Sequence, residues 1–230
     1  MKLPLFHKTL PVDECHRVHM EQNNAMEALA KYLDRILARS LLPGQPLVLL
    51  CIGTDRSTGD SLGPLVGTRL SSHNHPQVKV FGTLGRPVHA VNLEETLATI
   101  KKDLGKVDMV VYSLAAPKRL AEDGTLYSSV LKTTGAPYTN KTIDLKTNQI
   151  SEVTIPQATE EEIEHTIKVM GGEDWKAWID ALKQADAIED DAVTLAYSYI
   201  GPEVTHPMYL KGSIGKAKEH LYQTAQEITK

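Results

Sequence analysis

With 230 residues, 41% of them hydrophobic and 23% charged, the chain has the size and composition to bury a core. The formal net charge of −4 excludes the basic excess on which nucleic-acid binding rests. Neither residues 1–100 (net +1) nor residues 101–230 (net −5) restores it. Cys15 and Cys51 make no disulfide framework and fit a reducing cytoplasm. No apolar run reaches the length of a signal peptide or a membrane span, and no internal repeat occurs.

Residues 1–20, punctuated by Pro4 and Pro11, read as an irregular leader ahead of a single domain over 21–230. Residues 22–40 carry Met26, Leu29, Ala30, Leu33 and Leu37 at spacings of three and four, which predicts an amphipathic helix. Leu47–Ile52 is an uninterrupted apolar run, as expected of a strand buried on both faces of a parallel sheet. A loop follows over 53–59, then a helix from Ser61 to Leu70 that Asp60 or Ser61 can cap. A second strand is expected over Val78–Leu84. A helix capped by Asn92, with Glu95 in the capping-box position, should run to Leu104, followed by a third strand over Asp108–Leu114.

Beyond Pro117 the texture changes. Short β segments are expected at Tyr127–Lys132, Lys141–Lys146 and Gln149–Ile155, the last two forming a hairpin across Thr147-Asn148. Thr159 with Glu162 predicts a capped helix to about Met170, broken by Gly171-Gly172. A helix over Asp174–Gln184, a strand over Val193–Ile200 and a helix over Ser213–Ile228 complete the chain. Strands alternating with helices predict an α/β fold with a doubly wound, mostly parallel, Rossmann-like three-layer sheet, carrying a small β-hairpin insertion.

Two constellations carry chemistry. The first is CIGTDRSTGDSLGPLVG, residues 51–67, which sets small polar residues at the C-terminal end of a buried strand, where open α/β sheets bind ligands. The amides of Thr58, Gly59 and Asp60 can face an anion, or the carboxylates of Asp55 and Asp60 can hold a proton or a metal. A plain turn with Asp60 as a helix cap accounts for the same residues. The segment is neither a Walker loop, since no Lys follows the last Gly, nor G-x-G-x-x-G.

The second constellation is VTLAYSYIGPEVTHPMYLKGSIGKAKEH, residues 193–220. On one continuous helix the step from Tyr209 to Lys218 turns about 900° and rises about 13.5 Å, putting the two on opposite faces. Tyr209 must therefore precede the helix, with Gly212 allowing a bend and Ser213 capping. A phenol works as a proton donor near neutral pH when a cation steadies its phenolate, and Lys can do that while also holding a hydroxyl. A surface Tyr ahead of a helix with a solvated Lys fits the same spacing.

Resemblance sharpens both. IGTDRSTGDSLGPLVGTRL and FGTLGRPVHAVNLEETL, within residues 15–100, resemble the sporulation-associated protease family related to germination and hydrogenase-maturation proteases. That likeness implies an acid site at Asp60, with Asp55 nearby. The family's second acid is replaced by VYSLAAP at 111–117, which implies little or no peptidase activity. DLGKVDMVVYSLAAP, YTNKTIDL, KVMGGEDWKAWIDAL and AYSYIGPEVTHPMYLKGSIGKAKEHL, over residues 98–228, resemble the single-chain enoyl-acyl-carrier-protein and trans-2-enoyl-CoA reductases.

This second likeness implies NADH-dependent reduction of the enoyl thioester of CoA or acyl carrier protein. It implies Tyr209, Lys218 and Tyr199 as catalytic residues, and Ser113, Leu114, Ala115 and Lys218 as cofactor contacts; no metal is implied. Two halves from different families would then meet near residues 96–104. That family's Gly-rich dinucleotide loop is replaced by residues 53–60, so the expectation is weak NADH binding with weak activity, or an inactive scaffold.

Overall fold

The computed structural model describes residues 16–41, 44–56, 60–114, 116–121 and 123–229. The described elements, in chain order, are α1 (Ala25–Ser40), β1 (Leu47–Ile52), α2 (Leu62–Ser72), β2 (Val78–Phe81), α3 (Leu93–Asp103), β3 (Val107–Tyr112), β4 (Lys118–Leu120), β5 (Leu126–Ser128), β6 (Tyr138–Asp144), β7 (Gln149–Ile155), α4 (Glu160–Met170), α5 (Glu173–Gln184), β8 (Ile188–Ala196) and α6 (Ser213–Ile228), with a 3-10 turn at Glu203–Thr205.

The expected parallel sheet is present. Its order is β2-β1-β3-β8 and every pairing is parallel. Burial distinguishes the centre from the edges. All of β1 except Leu47 is buried, as is all of β3 except Asp108, whereas β2 and most of β8 are only partly covered. That is what continuous apolar runs do in a sheet covered on both faces.

Alternation along the strands sends Val48, Leu50, Ile52, Val110 and Tyr112 to one face. There they meet Leu97 and Ile100 of α3, Trp175, Trp178, Ile179 and Leu182 of α5, and Leu221 of α6. The other face, from Leu49, Cys51, Met109 and Val111, is thinner and receives Leu33 of α1. Trp175 also ties the layers by a hydrogen bond, its indole N–H donating to Thr194 Oγ1 at 2.8 Å.

Several expectations shift. The last residues of the expected leader are anchored: His16 stacks on Tyr32 and Arg17 lies 5.4 Å over the Tyr222 ring, while residues 1–15 lie outside the described ones. Asn92 does not cap α3. Its Oδ1 accepts from the His89 amide and its Nδ2 donates to the Pro87 carbonyl, so the side chain fastens the preceding loop instead. The segment expected at Tyr127–Lys132 shrinks to β5, paired antiparallel with the unforeseen β4. β8 begins and ends earlier than expected, over Ile188–Ala196 rather than 193–200.

The hairpin forms as read, with Asn148 in the left-handed region (φ 54°) at its turn. The Thr159–Glu162 capping box is complete: Thr159 Oγ1 accepts from the Glu162 amide at 3.1 Å and Glu162 Oε2 accepts from the Thr159 amide at 3.0 Å. Glu162 also pairs with Lys132, linking the start of α4 to the strand-like segment after β5. Thr159→Ala should therefore lower stability by about 1 kcal/mol in chemical denaturation. An unchanged midpoint would show that the cap carries no weight.

Candidate functional site

The connection from β1 through α2 leads to β2 on one side, and β3 then pairs on the other side of β1. The chain thus changes direction between β1 and β3, and the segments leaving their C-terminal ends diverge. In open α/β sheets such a reversal opens the ligand crevice. Among the described residues its walls are Gly53–Arg56 and Asp60 on one side and Ser113–Leu114 on the other.

Gly53 is held at φ 155° with its amide donating to the Val88 carbonyl at 2.9 Å. A Cβ there would lie 2.2 Å from the Asp60 carbonyl and 3.2 Å from that of Ser113, so only Gly fits between the two loops. The Thr54 amide donates to the Asp60 carbonyl at 3.0 Å and closes the turn. Asp60 and Ser113 are buried, Leu114 is half-buried and Asp55 is exposed. The two acids of the alternative site thus sit in opposite environments. Ser61 occupies the position before α2 without bonding its amides through the side chain. Thr58, Gly59 and Ala115, which carry part of the expected anion and cofactor contacts, lie outside the described residues, as does Ser57.

A polar cluster unforeseen in the sequence lies beneath this crevice. Tyr112, the last residue of β3, is buried, and its hydroxyl donates to Asp174 Oδ2 at 3.1 Å. Burial first, and then the Asp174 carboxylate, push the phenol well above its ordinary range. Arg119 donates to the Lys168 carbonyl at 2.9 Å and to Glu173 at 3.1 Å, with Asp174 at 3.8 Å. Lys168 closes the cluster on Glu173 at 2.7 Å.

The Tyr–Lys segment divides in a way the spacing did not reveal. Tyr209 does precede α6, after a turn over 203–208. Gly212, not Ser213, holds the capping position, and the Ser213 hydroxyl instead donates to Val130 O and accepts from the Lys132 amide. Tyr199 lies three residues beyond the end of β8, 57% exposed, with its ring edge-on to Tyr209 at 5.1 Å. In the same turn His206 Nε2 is buried without a hydrogen-bond partner among the described residues.

Lys218 is only 7% exposed, and its Nζ donates to the Met170 carbonyl at 3.3 Å. No hydrogen bond joins it to Tyr209. An ammonium has three N–H donors, so two remain for a ligand. Burial lowers its pKa from the ordinary 10.5 to about 8. A signal for this burial was available in the sequence: Lys218 falls beside Ile214, Ala217, Leu221 and Thr224, the covered stripe of α6. Two open depressions of about 300 and 320 Å³, one along β2 from Val78 to Phe81 and one around Leu47, His75 and Val78, are lined by none of these residues.

The strand order, the reversal between β1 and β3 and the crevice above it define a Rossmann-like α/β protein. The family model for the trans-2-enoyl-CoA reductase catalytic region matches residues 89–230, and the chain belongs to that family. A second model, for a protein family of unknown function (DUF1256), matches residues 17–117. It carries no mention of proteolysis. The two matches overlap over 89–117, through α3 and β3, a stretch that contains residues 96–104.

Among similar curated proteins, trans-2-enoyl-CoA reductase (NADH) of Clostridium perfringens is 60% identical over 137 residues, covering 59% of this chain and 35% of that one. Enoyl-(acyl-carrier-protein) reductase (NADH) of Flavobacterium psychrophilum is 53% identical, with the same coverage. The chain thus spans about a third of the length of these relatives. The crystal structure of trans-2-enoyl-CoA reductase from Clostridium acetobutulicum with NAD superimposes with a TM-score of 0.62 at 31% identity, over 86% of this chain and 60% of that one. The enzyme from Treponema denticola with NAD gives 0.63 at 30%, over 88% and 59%. Both superpositions extend beyond residues 89–230 into the N-terminal half. No described helix is long and apolar enough to cross a membrane.

The buried Lys218 generates a stability prediction. Between about pH 8 and 10.5 the folded chain binds fewer protons at this residue than the unfolded chain. Its contribution therefore rises with pH across that window and levels off above it. Lys218→Met should abolish the rise and stabilise the protein at pH 7 by about 2 kcal/mol, the relief of burial less the lost hydrogen bond. Denaturation curves across pH 7–10.5 with the same slope in both proteins would refute the assignment.

Proposed function

We propose that the chain acts on enoyl thioesters of CoA or acyl carrier protein as an NADH-dependent reductase, with catalysis at Tyr209 and Lys218. The supporting observation is a buried ammonium with two N–H donors to spare, inside the segment that matches the family's catalytic region.

The crevice suits a dinucleotide in one respect and resists it in another. The Gly53 turn lets backbone approach closely, and Ser113 and Leu114 line the facing wall. Asp55 and Asp60 oppose phosphate charge, and Arg56 offsets only part of it. NADH supplies the reducing hydride when bound; Lys218 and Ser113–Ala115 would hold it.

The chain's own residues manage the proton. Tyr209 donates its hydroxyl proton toward the thioester oxygen as charge develops there. Lys218, charged below about pH 8, steadies the phenolate left behind and offers its second free N–H to a ribose hydroxyl. Tyr199, edge-on to the Tyr209 ring, fixes that ring's orientation and is the competing donor.

Turnover of a crotonyl thioester with NADH, compared in wild type, Tyr209→Phe, Tyr199→Phe and Lys218→Met, tests the reading. Tyr209→Phe keeps the ring and removes the proton, so the rate should fall by about 10² to 10⁴, with a comparable loss in Lys218→Met. Unchanged turnover in Tyr209→Phe would remove its role, and no turnover in wild type would favour an inactive scaffold. NADH should bind with a Kd in the high micromolar range or above, about −5 to −6 kcal/mol, because the loop over 53–60 carries Asp55 and Asp60 where the family has a Gly-rich dinucleotide loop. Sub-micromolar binding in a fluorescence titration would overturn this.

A further inference from the structure

Lys218 and His220 stand two positions apart on α6, so they point about 200° apart around its axis. Between them runs the covered stripe of Ala217, Leu221 and Thr224, which makes them its two flanks. Both reach the same short piece of chain, the Met170-Gly171-Gly172 corner between α4 and α5. From one flank, Lys218 Nζ donates to the Met170 carbonyl at 3.3 Å. From the other, His220 Nδ1 accepts the Gly172 N–H at 3.0 Å.

The corner lies hard against the stripe. A Cβ on Gly172 would fall 2.1 Å from Thr224 Oγ1, and one on Gly171 would fall 2.8 Å from His220 Nδ1. Further along α4, Arg119 holds the Lys168 carbonyl at 2.9 Å. The Met170 carbonyl therefore projects from a backbone fixed on both sides.

We infer that His220 is a positioning residue for Lys218: by accepting the Gly172 amide it fixes the corner whose carbonyl at Met170 aims the lysine amine. This rests on the catalytic role assigned to Lys218 for its effect on turnover, but not for its effect on the amine itself. With the imidazole gone, the Gly172 amide loses its acceptor, the corner relaxes and the Met170 carbonyl moves off the amine. Lys218 then reaches toward water, and its burial is partly undone.

The experiment compares His220→Leu, which removes the acceptor, with His220→Asn, whose side-chain oxygen can take the place of Nδ1. The Lys218 resonance in protein carrying ¹³Cε-labelled lysine, assigned with Lys218→Arg, is titrated by NMR in each. Wild type and His220→Asn should titrate near pH 8, and His220→Leu should move up toward the ordinary lysine range. Turnover of the crotonyl thioester should fall on the order of 10²-fold in His220→Leu, mostly in kcat, and recover in His220→Asn. A lower melting temperature in His220→Leu with an unmoved Lys218 titration would show a purely structural histidine and overturn the inference. If wild type itself fails to reduce the thioester, the reductase reading falls, while the titration still decides the role of His220.

Discussion

Holding an ammonium out of water at Lys218 governs much of how the C-terminal half is built. A buried charge is costly unless something answers it, and here a single backbone carbonyl does so. That carbonyl leads straight into Gly171 and Gly172, a pair that His220 and Thr224 of α6 crowd too closely for a Cβ. The corner in turn depends on α4 being correctly capped at one end and held through Arg119 at the other. Burial without a counter-charge disfavours the ammonium form and leaves two of its N–H donors unused by the described residues.

The sheet supplies the second requirement, an opening. Because β2 and β3 flank β1 on opposite sides, the loops leaving β1 and β3 separate, and Gly53 lets them do so while their backbones nearly touch. β1 comes from the region matched by the family of unknown function, whereas β3 lies where both family models overlap. Their parallel pairing, Leu49–Met109 through Ile52–Tyr112, makes one surface of the two regions.

Legibility followed physical range. β1 and β3 were readable because strands buried on both faces need unbroken apolar runs, and the hairpin because Asn148 tolerates a left-handed turn. Thr159 and Glu162 were readable because a capping box is complete within four residues. Asn92 shows the limit of that reasoning: the same residue types were present, but a nearer loop amide took the side-chain oxygen. β4 escaped because Lys118-Arg119-Leu120 has no pattern of its own and pairs only because β5 lies beside it. Within the site, Tyr209 and Lys218 were marked by resemblance. The Tyr112–Asp174 bond spans 62 positions, and the Lys218–Met170 bond spans 48; no local pattern encodes either.

Among the described residues β8 is one of the two edges of the main sheet, opposite β2, and its sequence divides it. Glu189, Asp190 and Asp191 are exposed at its start, followed by a half-covered stretch from Ala192 to Ala196 that is apolar except for Thr194. Three adjacent carboxylates repel a second copy of the same strand and interrupt the flat, uncharged template that intermolecular pairing needs. In the language of colloids, the edge carries its own electrostatic brake, set at the end where the strand leaves α5. Salt screens such charges over distances of about 8 Å at physiological strength. The protection these three carboxylates give the edge should therefore weaken as ionic strength rises.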